Sequence, residues 1–119
     1  MRKERKTALS SPEISAEESA LLLAAEIGRN VPQIDLHGAT AEEARTALDS
    51  FLYAEFRKGT RAVKIIHGKG TGVLGEAVRE ELARHNLVEA WRPAERSEEM
   101  NAVAYAVLYE SVFYERGAE

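Results

Sequence analysis

The chain has 119 residues, 45% apolar and 30% charged, with a formal net charge of −4, which suits one packed domain and excludes a wholly disordered chain. It contains no cysteine, so disulfides and cysteine-ligated zinc or iron–sulfur centres are excluded, and an all-histidine metal cage would need His37, His67 and His85 together. No apolar run approaches the roughly eighteen residues of a membrane span, and no apolar secretory core follows the basic start, so a soluble cytoplasmic protein without a membrane partner is expected.

Residues 1–14 are polar, with Ser10-Ser11-Pro12 as a breaker, and read as a disordered basic arm. Ser15 and Glu18 have capping-box spacing and open a helix within 15–30. Its apolar side is Leu21, Leu22, Ala25 and Ile27, and Gly28 can end it. This helix is expected to dock on its own body or on a partner, including a second copy in a homodimer. Pro32 precedes a short strand at 34–37, which Gly38 breaks. Thr40 and Glu43 form a second capping box, and the helix they open runs to about residue 58. Ala44, Leu48, Phe51, Leu52 and Phe56 recur at helical spacing along it, and Gly59 caps it. Residues 62–66 form a compact β-branched run, expected to be a strand buried on both faces. A glycine-rich loop follows, then a helix with Leu74, Val78 and Leu82 on one side. Residues 87–92 read as a strand ended by Pro93, and residues 102–109 as a final alternating strand. The order predicts a two-layer α/β sandwich over 31–113, βαβαββ, with a four-stranded mixed sheet, an additional N-terminal helix and a tail at 114–119. Right-handed crossovers place the two internal helices on one face of that sheet.

Asp35-Leu36-His37-Gly38 and His67-Gly68-Lys69-Gly70 each end a strand and lead into a helix. In open α/β sheets ligands bind outside the carboxyl ends of strands, so both clusters are expected at one edge. Asp35 and His37, two apart on a strand, point to the same side and make a usable acid–base pair near neutral pH. Gly68, Gly70 and Gly72, with Lys69 and Thr71 and a helix N-terminus behind them, describe a phosphate cradle. The spacing is not that of a Walker A loop. Between residues 57 and 75 stand Arg57, Lys58, Arg61, Lys64 and Lys69 with no acid, a basic rim suited to nucleic acid on an otherwise acidic body.

Residues 70–75 also match G-x-G-x-x-G, with Glu89 nineteen residues beyond Gly70. That fingerprint would imply a nucleotide cofactor. Against it, Glu89 falls at the start of its strand, and the chain is too short for a second nucleotide-binding half. His85, at a helix end, reads as a structural cation facing the dipole. Trp91 sits on a strand and Tyr53, Tyr105, Tyr109 and Tyr114 are scattered; aromatics on strands read as core, and no regular pattern supports a base-stacking platform.

The two motifs in this order resemble the small MutS-related (Smr) domain, whose hallmarks are an LDxH-type and an HGxG motif. Ile34 stands at the family's leucine, Asp35 and His37 match the first motif, and His67, Gly68 and Gly70 match the second. The resemblance spans 33–109. It implies a fold like the C-terminal domain of bacterial translation initiation factor three. It also implies nucleic-acid binding with endonuclease activity: DNA nicking, or messenger RNA cleavage at stalled or collided ribosomes. On RNA, His37, oriented by Asp35, would deprotonate a 2′-hydroxyl, the amides of 68–72 with Lys69 would stabilise the phosphoryl charge, and His67 would protonate the leaving oxygen. On DNA, water would attack, and Asp35 would help hold magnesium or manganese. The family's glycine-rich entry to the last strand is here Met100-Asn101-Ala102-Val103, without glycine. Side chains there are expected to narrow the site or alter the ligand. This keeps open the alternative of a non-catalytic module that docks on nucleic acid or a ribosome.

Overall fold

The computed structural model describes residues 13–28 and 30–111. The expected arm up to residue 12, the end of the expected domain at 112–113 and the tail at 114–119 lie outside the described residues. The elements are α1 (Ala16–Ile27), β1 (Gln33–Asp35), α2 (Ala41–Arg57), β2 (Ala62–Ile66), α3 (Val73–Arg84), β3 (Val88–Pro93) and β4 (Val103–Leu108).

Both capping boxes form. Ser15 Oγ accepts the Glu18 N–H at 3.1 Å, and Glu18 accepts the Ser15 N–H at 2.9 Å. Thr40 and Glu43 make the same reciprocal pair, both bonds at 3.0 Å, at the start of α2. Each box satisfies two backbone donors that a helix start otherwise leaves open.

The strands lie in the order β1-β2-β4-β3. β1 pairs parallel with β2, and β4 is antiparallel to both β2 and β3, so β2 and β3 run the same way with β4 between them. Both β–α–β steps are therefore parallel crossovers, and α2 and α3 share one face of the sheet. There Leu48 and Leu52 of α2 and Val78 and Leu82 of α3 bury against Val63, Ile65 and Trp91. β4 is buried along its whole length. Its period-2 alternation sends Ala104, Ala106 and Leu108 into that core and Val103, Tyr105 and Val107 to the opposite face.

α1 covers this second face with Leu22 and Ala25, and Ile14 ahead of it packs there too. Of the two expectations for this helix, docking on its own sheet is the one observed. Leu23 and Ile27 point away and stay exposed. Twelve residues of helix cover only part of the face, so Ala62, Lys64 and Ile66 of β2 are half-buried there. This corrects the expectation of a strand buried on both faces. Trp91 and Tyr105 are each 1% exposed, which makes them core and removes them as a stacking platform. No helix among the described residues is long and apolar enough to cross a membrane.

Candidate active site

The β1–β2 register ends at Asp35↔Ile66, and the Leu36 N–H continues it to the Ile66 carbonyl at 2.7 Å. The two strand ends therefore emerge side by side. A Cβ added at Gly68 would lie 3.2 Å from the His37 Cβ, so this approach needs glycine. Between the strand ends and the helix starts lies a cleft of about 480 Å³, lined by His37, Gly38, Thr40 and residues 67–74.

Asp35 Oδ1 accepts the His37 backbone N–H at 3.1 Å and stands 2.7 Å from His37 Nδ1. This bond holds the Asp35 carboxyl below its ordinary range and raises the His37 imidazole above its own. With Nδ1–H given to Asp35, Nε2 is the ring atom left for a ligand, and the His37 side chain is 72% exposed.

The loop takes left-handed backbone at Gly68 (φ +82°), Gly70 (+38°) and Gly72 (+96°), conformations that side chains resist. The Gly68 N–H is committed to the Ala102 carbonyl at 3.0 Å, so it cannot serve the cradle as expected. The amides of 69–72 have no protein acceptor among the described residues. α3 begins at Gly72 with no side-chain cap from that residue, and Thr71 Oγ1 meets the Val73 N–H only at 3.4 Å. Exposed Lys69 has no ion-pair partner among the described residues. Open amides, a helix dipole and one ammonium together favour an anion here.

His67 is placed differently from His37. It is 5% exposed, its N–H bonds the Ala102 carbonyl at 2.9 Å, and its Nδ1 lies 2.8 Å from the Gly68 carbonyl. The ring packs on the first turn of α3, where a Cβ at Gly75 would lie 2.8 Å from its Cε1. Burial pushes its pKa down. A buried imidazole whose Nδ1 meets a carbonyl braces the loop, and burial, which disfavours its charged form, weighs against the expected role of proton donor to the leaving oxygen.

Residues 100–102 do not line the cleft, contrary to the expected narrowing. Asn101 takes φ +67°, the only positive φ outside glycine among the described residues. Asparagine tolerates this region better than most residues, so the turn a glycine would make is kept without one.

The basic rim does not assemble. Its cations straddle a helix end, a loop and a strand, which send them in three directions. Arg57 and Lys58 end α2, about 25 Å from its start for 17 residues, at the far edge of the sheet. There Lys58 pairs with Glu55, and Arg57 lies 5.7 Å over the Tyr53 ring. Arg61 bonds the Leu108 carbonyl at 2.8 Å and Glu89 at 3.1 Å. Lys64 lies on the α1 face, 2.7 Å from Glu99. Of the five, Lys69 alone stands at the cleft.

Glu89 starts β3 at the same far edge, pairs with Arg61, and is pushed up to about 7 by burial and the neighbouring Glu18. It cannot meet a ribose held at Gly70, so the G-x-G-x-x-G match lacks its ribose partner. His85 Nε2–H donates to Asp49 Oδ1 at 2.8 Å, while its Nδ1 accepts the Leu87 N–H at 3.2 Å. Held between Asp49 of α2 and the Leu87 N–H, His85 is a structural brace that ties the end of α3 to α2.

For a divalent ion the site offers Asp35, beside the cleft-lining His37, as its carboxylate. No group of three or more histidine and carboxylate ligands gathers among the described residues, and Asp35 Oδ1 is taken twice by His37. Sequence reading missed Ala102, which acts through its carbonyl and leaves no side-chain signal. It also missed the space-making role of Gly75, legible only as part of the coincidental glycine pattern.

A family model described as the Smr domain matches residues 34–109. Endonuclease MutS2 of Caldicellulosiruptor saccharolyticus is 48% identical over 59 residues, 50% of this chain and 8% of that protein. Endonuclease MutS2 of Thermus thermophilus is 36% identical over 80 residues, 67% of this chain and 11% of that protein. This chain thus spans about a tenth of the length of these curated relatives. The crystal structure of the Smr domain of Thermus thermophilus MutS2 superposes with a TM-score of 0.63 at 36% identity, covering 66% of this chain and 98% of that one. YdaL, a stand-alone small MutS-related protein from Escherichia coli, gives a TM-score of 0.68 over 84% of this chain and 82% of its own. Its 23% identity speaks for the fold alone. With the family model matched from β1 to the end of β4, and both motifs side by side at one sheet edge, the chain belongs to the Smr domain family.

Proposed function

We propose that the cleft binds a nucleic-acid phosphate and cleaves RNA by attack of the neighbouring 2′-hydroxyl. The observation that carries this reading is the 2.7 Å Asp35–His37 bond, which leaves Nε2 free beside the open loop amides. His37 takes the 2′-hydroxyl proton at Nε2 while Asp35 holds the ring and steadies its charge. The 2′ oxygen bonds phosphorus, the bond to the 5′ oxygen breaks, and a 2′,3′-cyclic phosphate forms. The amides of 69–72 and the Lys69 ammonium stabilise the charge on the phosphoryl oxygens. The leaving oxygen takes its proton from solvent, to which the cleft is open, and His67 keeps the loop in shape. RNA is favoured over DNA because the site offers an imidazole, held by Asp35 and open at Nε2, for a built-in hydroxyl. The names of the relatives, endonucleases, agree with cleavage. Residues 100–102 stand outside the cleft lining, which supports the catalytic reading over a docking module.

The test uses end-labelled single-stranded RNA and its all-deoxy counterpart, with magnesium, manganese or a chelator. Wild type is expected to cut RNA in the chelator, leave a cyclic phosphate, and spare the deoxy strand. His37→Ala should slow cutting at least about 100-fold with binding and Tm unchanged. Lys69→Ala should shallow the slope of log affinity against log salt by about one. Cutting by His37→Ala at the wild-type rate would sink the assignment. Salt-sensitive binding with no cutting of either strand would establish a docking module instead.

A further inference from the structure

The least expected group on the second face is a carboxylate. Glu26, near the end of α1, is 4% exposed in a helix whose neighbouring inward residues are Leu22 and Ala25. A buried carboxylate is retained at a desolvation penalty unless its bonds are made. All of its partners lie at the end of β3 and in the connection to β4. Arg92 Nη1 donates to one oxygen at 2.7 Å, and the backbone N–H groups of Glu95 and Arg96 donate to the other at 2.9 and 2.8 Å. Arg96 Nη1 returns a bond to the Glu26 carbonyl at 3.2 Å.

The connection carries this fixation onward. The Glu99 N–H bonds the Arg96 carbonyl at 3.0 Å, and the Ala102 N–H bonds the Glu99 carbonyl at 3.0 Å. The Glu99 carboxylate is itself held by Lys64 at 2.7 Å and by the Tyr105 hydroxyl at 2.6 Å. The Ala102 carbonyl then receives both the His67 and the Gly68 N–H. One continuous set of bonds thus runs from α1 on one face, through the 94–102 connection, to the first turn of the glycine-rich loop.

We propose that Glu26 is a positioning residue for that loop. By clamping the amides of 95 and 96 it fixes where the Ala102 carbonyl stands, and so sets the backbone of His67 and Gly68 from which the open amides of 69–72 continue. The consequence for ligand affinity rests on the loop binding phosphate. The geometric consequence does not.

Amide hydrogen exchange on the full chain, with oligonucleotide binding measured in parallel, separates the two. Glu26→Ala should speed exchange at His67 and Gly68 about tenfold, the loss of one hydrogen-bonded brace, while the β2–β4 amides at Ile65 and Ala104 stay at wild-type rates. It should weaken RNA binding about tenfold. Glu26→Gln keeps an oxygen for the N–H groups of 95 and 96 but turns its NH2 toward the Arg92 donor, so it should recover both to within about fivefold of wild type. Unchanged protection at His67 and Gly68 in Glu26→Ala overturns the proposal. So does a uniform rise across all strands, or an equal loss in Glu26→Gln. If Glu26→Ala does not fold, Glu26→Asp draws the carboxylate back by one methylene and should give about threefold at the same two amides, with no effect there overturning it equally. If the wild-type chain binds no oligonucleotide, the phosphate reading fails, and the exchange result still decides the positioning role.

Discussion

His37 and His67 occupy equivalent places, each just past the end of a parallel strand and each before a helix, yet their environments are opposite. His37 is 72% exposed in its side chain, and Asp35 raises its affinity for a proton. His67 is 5% exposed, and burial lowers its own. The difference comes from strand order. Among the described residues β1 is an edge strand with β2 as its one neighbour, and Asp35 and His37 at its end are exposed. β2 lies between β1 and β4, and the chain entering β4 must pass over its end, where Ala102 takes the two amides. An edge position leaves a titrating group accessible to a ligand. An interior position turns the same residue type into a brace.

The largest expected effect comes from breaking the burial of His67. Gly75→Ala puts a Cβ 2.8 Å from His67 Cε1 and 3.0 Å from Nδ1, closer than packed atoms tolerate. Overpacking of this kind costs about 1–3 kcal/mol, against a helix-propensity gain of up to about 1 kcal/mol from alanine. A net loss of about 1–2 kcal/mol in denaturant unfolding is expected. In a His67→Ala background the clash is gone, and the same substitution should be neutral or mildly stabilising. Equal costs in both backgrounds would mean that Gly75 and the ring do not meet.

Much of this was legible from sequence, and the rest divides along the same comparison. The capping boxes at Ser15 and Thr40 and the alternation of 103–108 are local patterns, and local patterns survive folding. The two motifs share an edge because parallel strands must end together. What distinguishes His37 from His67 is which strand is covered, and that depends on β4 inserting between β2 and β3, a pairing between residues some forty apart in the chain. The basic run misled for the same reason. Its charges are neighbours in sequence, but Arg61 and Lys64 find Glu89 and Glu99 across the sheet, partners that no local window contains. Glu26 was hidden in an apolar helix face because one of its oxygens is used by backbone amides, which every residue type supplies, and the other by Arg92, a partner far along the chain.

A smaller effect sharpens the exposed half of the comparison. Asp35→Asn keeps an oxygen for the His37 N–H but removes the charge that raises the imidazole. The His37 pKa should fall back toward 6.5, its ordinary value. The limb of the pH–rate profile set by His37 should therefore move to lower pH, and an NMR titration of the ring should show the same shift. A profile unmoved in Asp35→Asn would mean that the carboxylate does not face the ring in solution. No such shift is expected from Asp49→Asn, whose partner His85 lies away from the cleft.

The smallest expected change tests what covers the interior strand end. Asn101 at φ +67° lets the chain turn sharply enough for Ala102 to reach His67 and Gly68. Asn101→Gly relieves the side-chain crowding of this conformation but loosens the unfolded chain, and the two effects, each under about 1 kcal/mol, oppose one another. Stability should stay within about 0.5 kcal/mol of wild type, with His67 as protected from exchange as before. Asn101→Val marks the other direction, since a β-branched residue is strained here by about 1–3 kcal/mol. It can relieve that strain by abandoning the left-handed turn, which withdraws the Ala102 carbonyl. Faster exchange at His67 and Gly68 in Asn101→Val, with the Asp35–His37 pair still titrating as in wild type, would show that the cover belongs to the interior histidine alone. A shift in both histidines would mean that the two strand ends respond as one unit, and that edge position does not insulate His37 from the connection above β2.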